Sequence, residues 1–152
     1  MRRITAIFML LGLTTFASGA FGAQEEGQAW FESLASAQAK AREANKPVLA
    51  LFTGSDWCAW CIKLEREVFG NEAFSKWAGQ NVVLAKIDFP RRKQPAPDVR
   101  KANEALAEKH GIEGFPTVVF LSSDGAELGR MGYQQGGPDA WTRAAQKLLE
   151  RK

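Results

Sequence analysis

Cysteine is almost missing from this chain: two residues in 152, Cys58 and Cys61. Histidine is scarcer still, with His110 alone. A structural zinc site needs four ligands, usually two close cysteine pairs or one pair with two histidines, so the ligand count argues against zinc. None of the three methionines stands beside the cysteines, which argues against a copper carrier as well. No metal is expected. A surplus of one charge is also lacking, because 20 Lys and Arg face 17 Asp and Glu, and Arg2 and Arg3 supply two of the three extra positive charges. Nucleic-acid binding needs a clustered basic surface, so no nucleic-acid partner is expected. Internal repeats, low-complexity tracts, a second domain and any glycine-rich nucleotide loop or flavin site are absent too, which leaves no cofactor to expect.

Only one hydrophobic run stands apart. Residues 4–13 follow Arg2 and Arg3 and give way to small residues through Ala23. The run is too short to cross a bilayer, and its basic, apolar and small-residue order reads as a secretory signal peptide over residues 1–22. Ser18-Gly19-Ala20 and Ala20-Phe21-Gly22 both offer small-x-small cleavage sites, and an uncleaved N-terminal anchor stays open as the alternative. No cysteine lies near the cut, which argues against a lipoprotein. Removing Arg2 and Arg3 with the leader leaves 18 Lys and Arg against 17 Asp and Glu, a net charge of +1. The expectation is a periplasmic or secreted monomer with no stable membrane insertion, its single domain spanning residues 28–150. Oxidising compartments let disulfides form and persist, so export bears directly on the two cysteines.

Along the chain, residues 28–44 place Trp30, Phe31, Leu34, Ala37 and Ala41 at helical spacing before Asn45-Lys46-Pro47 stops the run. Residues 48–52 are a short, continuous apolar run, as in a strand covered on both faces. Thr53-Gly54-Ser55-Asp56 reads as a loop of capping residues, and a helix is expected from Trp57 or Cys58 to about Phe69. A second helical piece covers residues 71–78 and a second buried strand residues 82–87, a strand-helix-strand order that implies a parallel crossover. The loop FPRRKQPAP follows, with Asp98 expected to cap a helix reaching His110. Arg91-Arg92-Lys93 within it reads as solvated loop; following a parallel strand, it should lie at the same sheet end as Cys58. Residues 117–121 and 127–133 form a hairpin across Ser122-Ser123-Asp124-Gly125, and a last helix runs to Leu149. The fold class expected is α/β: a central mixed sheet of about four strands with helices on both faces.

The cysteines therefore sit just past a strand, at the start of a helix. The first helical turn has unpaired N–H groups and the positive end of the helix dipole, which favour a thiolate. Cysteines so placed have pKa values below the free value of about 8.5. Cys61, three residues on and nearer the helix interior, can attack a mixed disulfide formed at Cys58, so the spacing supplies a nucleophile and a resolving thiol. An inert disulfide stays open, although so short a loop stabilises a domain little. His110 reads as an ordinary helix-end residue beside Gly111.

WCAWC after an apolar strand, followed about fifty residues later by GFPT before the next hairpin, resembles the thioredoxin superfamily over roughly residues 28–150. FTGSDWCAWCIKLEREVF with GGP before the last helix is most similar to secreted bacterial thioredoxin-like proteins related to the C-terminal domain of the periplasmic reductant-transfer protein. The resemblance implies a thioredoxin-like fold and a thiol-disulfide oxidoreductase. It makes Cys58 the attacking and Cys61 the resolving thiol, and has Trp57 cover the disulfide and shape the partner surface. It makes Pro116 a cis-proline facing the pair, with Phe115 offering its backbone to an extended substrate strand. Its partners would be protein disulfides and a protein electron donor. Two departures stand out. Ordinary thioredoxins carry a buried carboxylate six residues before the first cysteine, where this chain has Phe52, so Asp56, Glu65 or water has to handle the proton of Cys61. The usual Gly-Pro between the cysteines is Ala59-Trp60, which adds aromatic surface without charge and lacks the histidine of strongly oxidising relatives. These features favour the reductase or isomerase direction. A binding module, with Trp57, Trp60 and Phe115 holding a partner around a structural disulfide, is the rival from another class.

Overall fold

The computed structural model describes residues 29–150; the expected signal peptide, residues 1–22, lies outside them. Ten elements follow one another. They are α1 (Leu34–Ala44), β1 (Val48–Thr53), α2 (Ala59–Leu64) continued by a π-helical turn (Glu65–Phe69), α3 (Glu72–Asn81), β2 (Val83–Asp88), α4 (Pro97–Lys109), β3 (Thr117–Leu121), β4 (Glu127–Met131) and α5 (Gly137–Leu149). The four strands form one sheet in the order β2-β1-β3-β4. The β1–β2 pair is parallel, and β3 runs antiparallel to both β1 and β4. The expected mixed sheet is thus the one observed.

β1 is buried along its whole length, and its alternation sorts the core. Leu49 and Leu51 face one side, where Leu64, Val68, Phe69, Phe74, Phe120 and Trp141 bring α2, α3 and α5 onto the sheet. Val48, Ala50 and Phe52 face the other, packed with Leu34, Ala37 and Ala41 of α1 and with Leu106 of α4. A strand with both faces covered has to be apolar throughout, which is why this run shows no polar alternation.

Several local expectations need correction. The first helix starts at Leu34, not at residue 28: Ser33 caps it, its Oγ accepting from the Ser36 N–H at 3.4 Å. Residues 30 and 31 run extended beside β2, with Phe31 N–H donating to Leu84 O and Lys86 N–H donating to Phe31 O. Trp30 consequently packs in one core and Phe31 in the other, which two residues on one helical stripe do not do. Asp98 does not cap α4; Ala96 holds that position and Pro97 opens the helix, where its missing N–H costs nothing. β4 ends at Met131, so Tyr133 lies beyond the strand. The helix after the cysteines closes in a π turn, with Gly70 N–H donating to Glu65 O at 2.7 Å.

Candidate active site

None of the capping residues Thr53, Gly54, Ser55 and Asp56 caps the helix behind them. Cys58 is the N-cap of α2, its Sγ accepting from the Cys61 N–H at 3.2 Å. Ser55 and Asp56 turn outward and tie down the loop that follows β2. Ser55 donates through its N–H and its Oγ to the two carboxylate oxygens of Asp88, at 3.0 and 2.6 Å. Asp56 Oδ1 accepts from Arg91 N–H at 2.9 Å and Oδ2 from Arg92 N–H at 2.7 Å. Those two backbone donors hold the Asp56 carboxyl below the ordinary carboxylate value.

Cys58 and Cys61 are joined as a disulfide, with their Cα atoms 5.2 Å apart. Both are buried, at 8 % and 4 % exposure. The Gly54 N–H points at Cys61 Sγ at 3.4 Å, and Cys58 Sγ lies 3.6 Å from the carbonyl oxygen of Phe115. The Phe115–Pro116 peptide bond is cis. Residues 57 apart in the chain thus meet at one point, where β1 runs out into α2 and the segment before β3 turns back toward it.

The aromatic residues singled out in the sequence surround that point in different ways. Trp57 is 36 % exposed, donates its Nε1–H to Phe89 O at 2.8 Å, and meets the Phe115 ring edge-on at 6.1 Å. It lies so close to Gly54 that a Cβ there would come within 2.5 Å of the indole, which makes glycine the residue that lets Trp57 lie flat. Trp60 is 56 % exposed and rests on a group that sequence reasoning missed. Its ring is 5.4 Å from that of Tyr133, and the Lys63 ammonium sits 5.2 Å and 5.0 Å from the two ring centres. Tyr133 O–H donates to Glu67 Oε2 at 2.6 Å, which raises the phenol's pKa and lowers the carboxyl's. Being the one tyrosine of the chain was its only signal in the sequence.

Phe52, in place of a carboxylate, is fully buried, with its ring 6.0 Å from that of His110. Of the three expected proton carriers for Cys61, Asp56 commits both oxygens to the loop. Glu65 and Cys61 share the lining of a cavity of about 330 Å³ with Thr53, Ser55 and Lys86, and Lys86 Nζ lies 3.6 Å from Glu65 Oε2. Among the described residues no three His, Cys, Asp or Glu side chains converge as metal ligands would.

A disulfide at a helix head, facing the Phe115 carbonyl at the end of a mixed four-stranded sheet, defines a thiol-disulfide exchange protein of thioredoxin architecture. The chain belongs to the thioredoxin-like domain family, whose model matches residues 34–146. It is 33 % identical over 120 residues to the disulfide bond reductase DsbH of Chlamydia pneumoniae, covering 79 % of this chain and 72 % of that one. A solved structure of a DsbH oxidoreductase superposes with a TM-score of 0.76 at 32 % identity, covering 83 % of this chain and 89 % of the other. The oxidised C-terminal domain of Neisseria meningitidis DsbD superposes with a TM-score of 0.57 at 19 % identity, over 78 % of this chain and 98 % of that domain, a likeness of fold. The protein is a thiol-disulfide oxidoreductase of this family.

Proposed function

We propose that the protein is exported and reduces disulfides in other proteins, with Cys58 as the attacking thiol and Cys61 as the resolving one. The observation that carries this reading is the placing of Cys58 Sγ at the helix head, 3.6 Å from Phe115 O. A partner strand laid along the Phe115 backbone would bring its own disulfide to that sulfur. Phe115 and Pro116 supply the backbone platform, and Trp57 and Trp60 the flanking apolar walls. In the dithiol form, the Cys58 thiolate attacks one sulfur of the substrate disulfide. A Cys58–substrate bond forms, and the first substrate thiolate leaves. Cys61 then loses its proton and attacks Cys58 Sγ, forming the Cys58–Cys61 disulfide and releasing the second thiolate. Two electrons pass to the substrate, and two protons complete its thiols. The Cys61 proton leaves through the cavity lined by Glu65 and Lys86, since Asp56 is committed elsewhere. A dithiol protein returns the electrons.

Export rests on residues 1–22, and the reductase direction on the apolar Ala59-Trp60 insert together with the likeness to the Chlamydia pneumoniae disulfide bond reductase. Equilibration of the mature protein in thiol-disulfide buffers, read by alkylation and mass shift, tests the direction. A potential near about −270 mV is expected for a reductant, and one near about −120 mV would overturn that direction. Cys61→Ser tests the mechanism against the binding-module rival. Mixed disulfides with substrate should accumulate through Cys58; if none can be trapped, the pair is structural and the exchange reading goes.

A further inference from the structure

The loop after β2 carries Arg91, Arg92 and Lys93 beside the aromatic surface around Cys58, and its charges are held there. Phe89 N–H donates to Thr53 O at 2.8 Å, Trp57 Nε1–H donates to Phe89 O, and Asp56 accepts the N–H groups of Arg91 and Arg92. Behind the loop, buried Asn103 donates to Asp88 O at 3.0 Å. The Arg91 guanidinium lies 3.7 Å from the centre of the Trp57 ring. Phe89 stacks on Phe115 at 5.0 Å, so Phe115, Phe89 and Trp57 make a continuous shelf from the Cys58 sulfur to the basic loop.

Among the described residues no ion pair takes up these charges, although the Arg91 guanidinium rests on the Trp57 ring. All three side chains are exposed, and none forms an ion pair within 4 Å among the described residues, where Arg100, the next cation, is paired with Glu104. The nearby carboxylates are committed elsewhere: Asp56 accepts the Arg91 and Arg92 N–H groups with its two oxygens, and of the two that share a cavity with Arg91, Asp88 holds Ser55 and Glu104 pairs with Arg100. A net charge near zero over the exported chain makes this a local feature and not a general basicity.

We propose that this loop selects substrates: it takes an acidic stretch, rich in Asp or Glu, in the extended segment next to the partner's disulfide, while the aromatic shelf seats the residues between. The inference rests on the reductase reading and adds a substrate class to it. Exposed charges act mainly on encounter and on substrate affinity, so selection should appear in kcat/KM and fade with salt.

The test uses the mature protein and two peptides, each with one intramolecular disulfide, flanked by Asp and Glu in one and by Lys in the other, with a small uncharged disulfide alongside. The acidic peptide should be reduced with a kcat/KM roughly three- to tenfold higher than the basic one. The preference should shrink between about 0.05 M and about 0.5 M salt. Arg92→Gln with Lys93→Gln should bring the ratio close to one, and Arg92→Glu with Lys93→Glu should invert it. Both variants keep the backbone donors that Asp56 needs. Equal rates with the two peptides, or a preference that survives both variants, overturns the inference and leaves the reductase standing. Binding of the loop to vesicles of anionic phospholipid with no peptide preference overturns it too. Failure to reduce any of the three disulfides means that the reductase reading itself has failed.

Discussion

Gly54 shows how a single position governs the site. Its N–H reaches Cys61 Sγ, its carbonyl accepts from Cys58 N–H at 2.9 Å, and its missing Cβ lets the Trp57 indole close over the loop. Gly54→Ala forces the indole away, because the new methyl would stand 2.5–2.8 Å from three of its atoms. The expected result is a stability loss of about 1–3 kcal/mol from overpacking and a drop of about ten- to a hundredfold in kcat/KM for a protein disulfide, the cost of a misplaced platform. Denaturant melts and turnover measured on the same sample check both, and undiminished turnover would remove Trp57 from the platform. The cysteine pair and Trp57 were legible in the sequence because chemistry and spacing mark them. Glu67, Lys63 and Tyr133 were not, since Lys63 and Glu67 look like an ordinary surface pair four residues apart and Tyr133, 66 residues beyond Glu67, meets them only where that helix faces the segment after β4.

Element packing decides the role of His110. It ends α4, its carbonyl accepts from Arg130 Nη2 at 3.1 Å, and its ring lies beside the buried Phe52 of β1 with Nε2 enclosed and unpartnered. Burial, followed by the nearby Lys109 charge, lowers its pKa from the ordinary 6.5. Above pH 6.5 the imidazole is neutral in both states; as pH falls below 6.5 the unfolded chain binds a proton that the folded one resists, so stability declines until the folded-state pKa is passed. Melting temperature should therefore fall as pH is lowered from 7 toward 5, and His110→Leu should remove that part of the slope. An unchanged slope in the variant would assign the pH response elsewhere. The hairpin of β3 and β4 was legible from its turn residues, whereas the start of α1 was not. Trp30 and Phe31 have helical spacing to Leu34, but pairing with β2 satisfies the backbone of Phe31 and sends the two side chains to opposite cores, and that pairing is set 54 residues downstream.

Over the whole molecule, two cores on opposite faces of one sheet carry the stability, and the disulfide lies at their edge. Its ring spans a sequence separation of three, so the loop-entropy account limits its contribution to about 2 kcal/mol. Cys58→Ala with Cys61→Ala should fold with unchanged circular dichroism and a melting temperature lowered by no more than roughly 10 °C. A much larger loss would identify a structural staple. By itself the sequence determined the order of elements, the doubly covered strand β1 and the two-thiol chemistry at a helix head, because hydrophobic periodicity, turn residues and the C-x-x-C spacing are local properties of the chain. Only the tertiary structure decided which atoms face Cys58, that Asp56 is committed to the basic loop while Glu65 shares a cavity with Cys61, and that Phe89, Phe115 and Trp57 join into one surface. Those relations depend on strand order and on the parallel crossover, which bring residues some 30 to 60 positions apart to the same end of the sheet.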